Sequence, residues 1–333
     1  MPLHGVRVID LSRLLPGPLA TLILSDLGAE VIRVENPAGD DYTRHLEPLY
    51  PDGMGAVFHT LNRGKKSVAL DLKTVSGLDC FLQMLESADV LVESFRPGVL
   101  KKLNLAPKTL QKRFPRLIIC SISGYGQSGP SAKKAGHDLN YLAKAGVLGA
   151  AENPAPLPVP IADIAGGSWP AAMQIMAALY GREHSKKGCY IDISMTAWAA
   201  SLMILHVAKT NPLSGEHPCY GVYQTKDGHL TVAALEPHFW QTLIQTLGLP
   251  HLKDKAFASK AEACQIKAEL QDIFWQKNTA AWQRIFSKLN ACVEAIVKNN
   301  HMQPTRLPLS KALSHPSAKP APQLGEDNAD FLL

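Results

Sequence analysis

Strand-like and helix-like runs take turns along the first 125 residues, and that alternation restricts the chain more than any other feature. Residues 6–10, 30–35, 67–72, 89–95 and 117–123 are short apolar runs rich in Val, Ile and Leu. Residues 18–27 and 77–88 carry helical patterns between them, the first closed by Gly28 as a C-terminal stop. Short apolar strands joined by helices form βαβ units, and such units build a mostly parallel sheet buried on both faces. The expected class is α/β.

The first strand-to-helix turn reads Leu11-Ser12-Arg13-Leu14-Leu15-Pro16-Gly17-Pro18. It matches neither G-x-G-x-x-G nor G-x-x-x-x-G-K-[ST], so the common pyrophosphate cradles of dinucleotide and ATP proteins are missing from it. Further along, residues 164–180 read as a long apolar helix, 190–194 as a strand and 195–208 as a second apolar helix. Residues 211–218 are polar and rich in Pro and Gly, as in a linker. Beyond them, 221–225 and 229–235 flank Lys226-Asp227-Gly228, a strong hairpin signal. Helical segments, among them 239–247 and 281–289, then continue to residue 297, and the prolines of 304–324 favour extended chain. The section after the linker reads as a smaller α+β domain.

A composition of 46% hydrophobic and 19% charged residues belongs to a folded protein and excludes disorder, collagen and coiled coil. The net charge of +5 is mild and spread along the chain. It argues against nucleic acid as a partner and suits an anionic small ligand. The six cysteines lie far apart without a C-x-x-C or a zinc-type spacing, so reduced thiols and no metal site are expected. The start Met1-Pro2-Leu3-His4-Gly5 has no secretory character. The longest apolar stretch, residues 195–208, is short of the ~20 residues that span a bilayer. A cytoplasmic protein with no membrane partner is expected.

Certain stretches carry a more specific signal. Leu11-Ser12-Arg13, Pro16-Gly17-Pro18 and Asp26-Leu27-Gly28-Ala29-Glu30-Val31-Ile32-Arg33-Val34-Glu35 form the first. Asn62-Arg63-Gly64-Lys65-Lys66-Ser67 with Leu70-Asp71-Leu72-Lys73 form the second, and Asp89-Val90-Leu91-Val92-Glu93-Ser94-Phe95-Arg96-Pro97-Gly98-Val99 the third. The fourth joins Ser123-Gly124-Tyr125-Gly126-Gln127-Ser128-Gly129-Pro130 to Gly136-His137-Asp138-Leu139-Asn140-Tyr141 and Ala162-Asp163-Ile164-Ala165-Gly166-Gly167. In order and spacing these stretches resemble the class III CoA-transferase superfamily (CaiB/BaiF type), and within it the α-methylacyl-CoA racemases. The resemblance runs from residue 1 to about residue 297.

The resemblance implies a Rossmann-like large domain at 1–196 that binds CoA, a linker at 197–216, a small α+β domain at 217–297 and a return segment at 298–333. It also implies an interlocked homodimer. The substrate is an acyl-CoA thioester, and no cofactor is needed beyond the CoA that the substrate carries. Arg33, Asn36, Leu70, Asp71, Leu72, Lys73, Arg96 and the run Gly136, His137, Asp138, Leu139, Asn140, Tyr141 match the family's CoA-binding positions. Asn36 stands where the racemases often carry Arg. Chemically, a phosphoadenosine diphosphate calls for several cations, and Arg63, Lys65 and Lys66 join Arg33, Lys73 and Arg96 as candidates.

His137, Asp163 and Glu236 match the catalytic positions, Glu236 as the acid that orients the histidine, which would put the site between domains. Inverting a carbon next to a thioester needs one acid/base group on each face, and His137 and Asp163 can supply them. Gly166 and Gly167, read as lying just inside the start of a long helix, offer backbone N–H groups for an enolate oxygen, or simply small packing residues. Two other readings stand beside the racemase. In family transferases the aspartate matching Asp163 is a nucleophile. A degenerate CoA binder is the third, since the chain between 297 and 320 is shorter than in its relatives. His137, and the lack of a Gly-rich loop between 221 and 260, favour the racemase.

Overall fold

A computed structural model describes residues 1–39, 41–151, 154–207, 211–297, 307–314, 316–317 and 319–332. They form two compact units. The first holds Met1–Val147, Pro156–Leu202 and the described residues beyond 304; the second holds the described residues of Leu148–Ala155 and Met203–Gln303.

The first unit is built on six parallel strands: β1 (Arg7–Leu11), β2 (Glu30–Glu35), β3 (Lys66–Ala69), β4 (Val90–Glu93), β5 (Ile118–Ser123) and β6 (Tyr190–Ser194). Their order is β3-β2-β1-β4-β5-β6, so the direction of winding reverses between β1 and β4. That reversal opens a crevice beyond the carboxyl ends of the strands, the usual ligand position in open α/β sheets. Ile9, Ile32, Leu91 and Ile119 are fully buried and pack with Phe81, Leu105 and Leu110. Each such side chain contributes ~1.5–3 kcal/mol by leaving water. The expected α/β sheet is present, with every strand end within three residues of its expected place.

Three helical readings are corrected by the structure. The helix expected at 164–180 runs instead over Trp169–Ser185, with Pro170 in its first turn. It follows a short turn at Ile161–Asp163 and a π-helical turn at Ile164–Ser168. Gly166 and Gly167 therefore lie inside a continuous helical run, not at an open N-terminus. A β-carbon on Gly166 would fall 2.6 Å from the Met195 carbonyl oxygen, so its missing side chain is what the fold uses. The helix expected at 195–208 ends at Ser201. There the Ser201 hydroxyl donates to the Trp198 carbonyl, in competition with the helical ladder. Leu202 and Ile204 beyond it are exposed, and residue 208 lies outside the described residues. Finally, the stretch read as helical to residue 297 contains a strand, Val293–Ala295, which pairs with a neighbouring strand before it is long enough to show a period of its own.

That strand is β9 of the second unit, whose antiparallel sheet runs β7-β8-β9 with β7 at Tyr220–Gln224 and β8 at His229–Ala233. The hairpin expected around Lys226-Asp227-Gly228 joins β7 to β8. Asp227 accepts the Thr279 N–H at 2.7 Å and so ties the turn to the helix Thr279–Phe286. Trp240, Leu270, Phe274 and Trp282 form the core, and the two indoles donate to the carbonyls of Leu252 and Phe274.

The described part of the tail lies in the first unit, against its edge strand. Its extended reading is broken at 310–314, where the Ser314 N–H and hydroxyl both donate back to the Ser310 carbonyl, and at the turn that begins at Leu324. A short helix, Asn328–Phe331, follows, and 304–306 lie outside the described residues. The Ser67 N–H donates to the Asp327 carboxylate and the Ala69 N–H to the Asn328 side-chain carbonyl, both at 2.8 Å. The Asp327 N–H returns a bond to the Ser67 carbonyl at 2.9 Å. β3 is thus an edge without a free ladder.

Candidate active site

The crevice at the sheet's reversal has a volume of about 340 Å³. Leu11, Ser12 and Arg13 enter it from the end of β1, Glu35 and Asn36 from β2, and Phe95 and Arg96 from β4. Leu70, Asp71, Leu72 and Lys73, which follow β3, form a further wall. Seven residues singled out in the sequence therefore meet here: Arg33, Asn36, Leu70, Asp71, Leu72, Lys73 and Arg96. Ser12, Arg13, Phe95 and Val99 share the lining. The motifs contained them, yet no single-strand pattern marks them as wall residues.

The cations divide sharply in what they face. Lys73 and Arg96 are exposed at the crevice. Arg33 touches the crevice but is only 1% exposed, and its guanidinium donates to Asp41 at 3.1 Å and to Asn62 at 3.0 Å. Arg63 forms two 2.6 Å bonds to Asp26. Lys66 pairs with Glu30 at 2.8 Å. Lys65 is buried, donating to the Pro18 carbonyl, Thr21 and Asn62, with the Asp10 carboxylate 3.4 Å away. The candidates Arg63, Lys65 and Lys66 are thereby engaged by other groups. A charge count along the sequence cannot separate such internal partners from ligand contacts.

Behind the crevice Arg33 and Lys65 belong to a buried network with Arg44, Asp10, Glu35 and Asp41. Burial raises the Glu35 carboxyl, but Arg33, Arg44 and the Ser67 hydroxyl outweigh it and hold the group at about 2. Burial likewise pushes Asp10 up, and Lys65, Arg33, Ser12 and Thr21 together hold it below the usual carboxylate range. The Phe58 ring lies against both guanidinium groups, 3.9 Å from Arg44 and 5.0 Å from Arg33.

A second cluster forms around the loop 124–137 and the helix Asp138–Ala145. Tyr141 organises it. Its phenol donates to the Gly136 carbonyl, and its ring meets Tyr125 edge-on at 5.2 Å. A β-carbon on Gly124 would fall 2.3 Å from that ring, so the Ser-Gly-Tyr-Gly motif makes room for it. His137, next to the anchored Gly136, caps the helix; its N–H donates to the Asn140 side chain at 3.0 Å, and its imidazole is exposed. Leu139 and Asn140 are also exposed, on the helix's first turn.

Asp138, the next residue, accepts the Asp163 N–H at 2.9 Å. The sequence-predicted His137 and Asp163 are thus carried on two elements joined by one hydrogen bond. Burial, and secondarily the charge of Asp138, push the Asp163 carboxyl up to about 7. Burial raises the Tyr141 phenol to about 12; Asp163 adds to this, and Arg96 acts in the opposite sense. Arg96 therefore lies electrostatically between the crevice and the acid/base cluster. Glu236 belongs to the second unit, where it is exposed and its carbonyl opens the helix Pro237–Leu247 by accepting the Phe239 and Trp240 N–H groups. Among the described residues, no helix is long and apolar enough to cross a membrane.

Comparison with known proteins gives the family. The model of CoA-transferase family III matches residues 3–307. The chain is 37% identical to α-methylacyl-CoA racemase of Mus musculus over 372 residues, which cover all of this chain (100%) and 93% of the relative. It is 34% identical to succinyl-CoA:glutarate CoA-transferase of Mus musculus over 304 residues, covering 86% of this chain and 70% of that one. Among solved structures, Rv3272 of Mycobacterium tuberculosis in its orthorhombic form superposes with a TM-score of 0.83 at 30% identity, covering 99% of both chains. A CAIB/BAIF family protein from Brucella suis gives 0.82 at 26% identity, covering 99% of this chain and 98% of that one.

Proposed function

The chain belongs to CoA-transferase family III, and we propose that within it the protein is an α-methylacyl-CoA racemase. The observation that carries this reading is the Asp163 carboxyl. It is pushed to about 7 by burial and a neighbouring carboxylate, and hydrogen-bonded through its backbone to the residue after His137. A carboxyl with that affinity for protons exchanges them readily at neutral pH, as a group that is base in one direction and acid in the other must. The CoA portion lies in the crevice of Asn36, Leu70–Lys73 and Arg96, and the thioester is presented at His137 and Asp163. One of the pair removes the α-proton, the electron pair moves into the thioester carbonyl to give an enolate, and the other returns a proton to the opposite face. Glu236 is retained as the third group of the proposal. The reaction uses no metal or redox cofactor, and CoA enters only as part of the substrate.

A transferase, with Asp163 as nucleophile, is the second reading, favoured by the 34% identity to a CoA-transferase. Both readings use the ionised carboxylate of Asp163, of which a group near 7 keeps about half at pH 7, so the racemase is preferred on His137 and on the 37% identity to a racemase. Incubation in D2O with one enantiomer of a 2-methylacyl-CoA separates the two. The racemase washes deuterium into the α-position while the other enantiomer appears. A transferase leaves the α-hydrogen in place, needs a carboxylate acceptor, and yields an acyl group on Asp163 that hydroxylamine traps. We propose in addition a cytoplasmic homodimer, for which light scattering gives about twice the chain's 36.1 kDa. A fully active monomer rejects that assembly.

A further inference from the structure

A second cavity, of about 640 Å³, opens beyond β4 and β5 on the far side of Arg96, whose side chain borders it as well as the crevice. The size falls within the ~300–1,000 Å³ usual for small-molecule sites. Its chemistry is graded. Glu93 lies at the floor, 2% exposed at the carboxyl end of β4, and accepts the Phe95 N–H at 2.8 Å. Among the described residues no cation is paired with it, and the charged neighbour acting on it is another carboxylate, Asp192. Ser121, fully buried, lies directly across the strand register from Glu93, and its hydroxyl neighbours both that carboxyl and the Tyr190 phenol. The Gln127 side-chain amide nitrogen, also facing the cavity, is buried without a hydrogen-bond partner. The rim is of opposite sign, with Lys101 and Lys108 exposed.

A buried carboxyl with no cation beside it is held towards its protonated form, and a ligand cation that reaches it lets it ionise; buried polar groups are ordinarily satisfied. Here the missing partner has a space of its own. An anion held at the rim leaves Glu93 at the floor without a cation, and a simple cation must pass Arg96, Lys101 and Lys108 for a single ion pair. A molecule carrying a cation at one end and a carboxylate at the other satisfies both. We propose that this cavity binds a small guanidino carboxylate, its guanidinium on Glu93 and its carboxylate at Lys101 and Lys108. The planar fork presents parallel N–H donors to the carboxylate and leaves others for Ser121 and Tyr190, which a compact ammonium does not. The cavity shares Arg96 with the CoA crevice, but the groups that hold the ligand, Glu93, Lys101 and Lys108, take no part in the CoA site or the proposed proton transfer, so its test stands apart from the racemase reading.

Calorimetric titration of the full chain with 4-guanidinobutyrate tests it. Saturable binding of one molecule per chain is expected, unaffected by saturating CoA. Butylguanidine, without the carboxylate, and butyrate, without the cation, bind at least several-fold more weakly. Glu93→Gln keeps the shape and removes the charge, and weakens binding by tenfold or more. Should that variant lose its near-ultraviolet circular dichroism, the double variant Lys101→Ala/Lys108→Ala decides, since both side chains are exposed; it weakens 4-guanidinobutyrate several-fold at low salt and leaves butylguanidine unchanged or improved. No saturable binding, displacement by CoA, or equal binding of 4-guanidinobutyrate by Glu93→Gln and the native chain each overturns the proposal.

Discussion

The two halves of one parallel sheet treat buried charge in opposite ways. At the ends of β1, β2 and β3, Asp10 and Glu35 are surrounded by Arg33, Arg44 and Lys65, and their carboxyls are held low, Glu35 at about 2. At the end of β4, and at Asp163 beside the helix Asp138–Ala145, the carboxyls have no such cations, and burial lifts both to about 7. The fold is the same and so is the residue chemistry; only the partners differ. Where cations are present the charges hold backbone segments together, and where they are missing the groups stay open to protons and ligands. An acid's neighbours, more than its depth, separate structure from chemistry in this chain.

The sharpest way to break this contrast is to remove each kind of group in turn. Asp163→Asn should lower α-proton exchange by ~10²–10⁴, the range for a positioned acid or base, with the thermal transition little changed. His137→Ala should do the same. An Asp163→Asn variant with native exchange would show that the raised carboxyl has no chemical role.

On the paired side, Arg33→Met should cost ~3–5 kcal/mol of stability by urea denaturation, because it leaves buried carboxylates without their cation. A loss below about 1 kcal/mol, the level of a surface pair, would mean that burial adds nothing to these ion pairs.

The pH dependence of stability should have opposite signs on the two sides. The folded Glu93 carboxyl keeps its proton to about 7, whereas the unfolded chain releases it near 4.5. Between those values the folded state binds more protons, so this group removes stability as pH rises. Glu93→Gln should therefore gain on the native chain between pH 4.5 and 7, by up to ~3 kcal/mol. Glu35 behaves in reverse, ionised in the folded state down to about 2. Its contribution is complete above the unfolded value of 4.5 and is lost as pH falls towards 2. Denaturation curves of the native chain, Glu93→Gln and Glu35→Gln across that range measure both slopes, and equal signs would dissolve the comparison.

The smallest effect concerns the exposed cation at the crevice. Arg96→Ala should weaken CoA binding several-fold at low ionic strength and less in high salt, where phosphate attraction is screened. Unchanged affinity at every salt concentration would make Arg96 an ordinary surface charge.

Much of the fold was readable from local pattern. Glu30–Glu35 coincides with a run visible in the sequence because it is buried on both faces, and Tyr190–Ser194 because an edge strand with one buried face alternates apolar and polar residues. Features set by tertiary contact were not readable in this way. The helix entering at Trp169 is delayed by a π turn whose glycines pass against Met195, a residue from a distant segment. The short strand Val293–Ala295 owes its form to β8. For the candidate site, motif order singled out Asp71 and Arg96, which line the crevice, and His137 and Asp163, which lie on neighbouring elements, but the internal partners of Arg33, Arg63 and Lys65 come from other segments. The empty neighbourhood of Glu93 is equally invisible along one strand, since it depends on what β5 and the segment 98–111 place above it.

The cover over β3 has a consequence in time. Ser67 and Ala69 receive their partners Asp327 and Asn328 from about 260 residues further along the chain. A ribosome adding ~5–20 residues per second leaves that strand open for tens of seconds after it is made. During this interval its N–H groups are available to any extended segment, including another nascent copy. The last-made contacts of the first unit thus act as a seal on its earliest-made sheet, and the yield of folded protein rests on how soon they arrive.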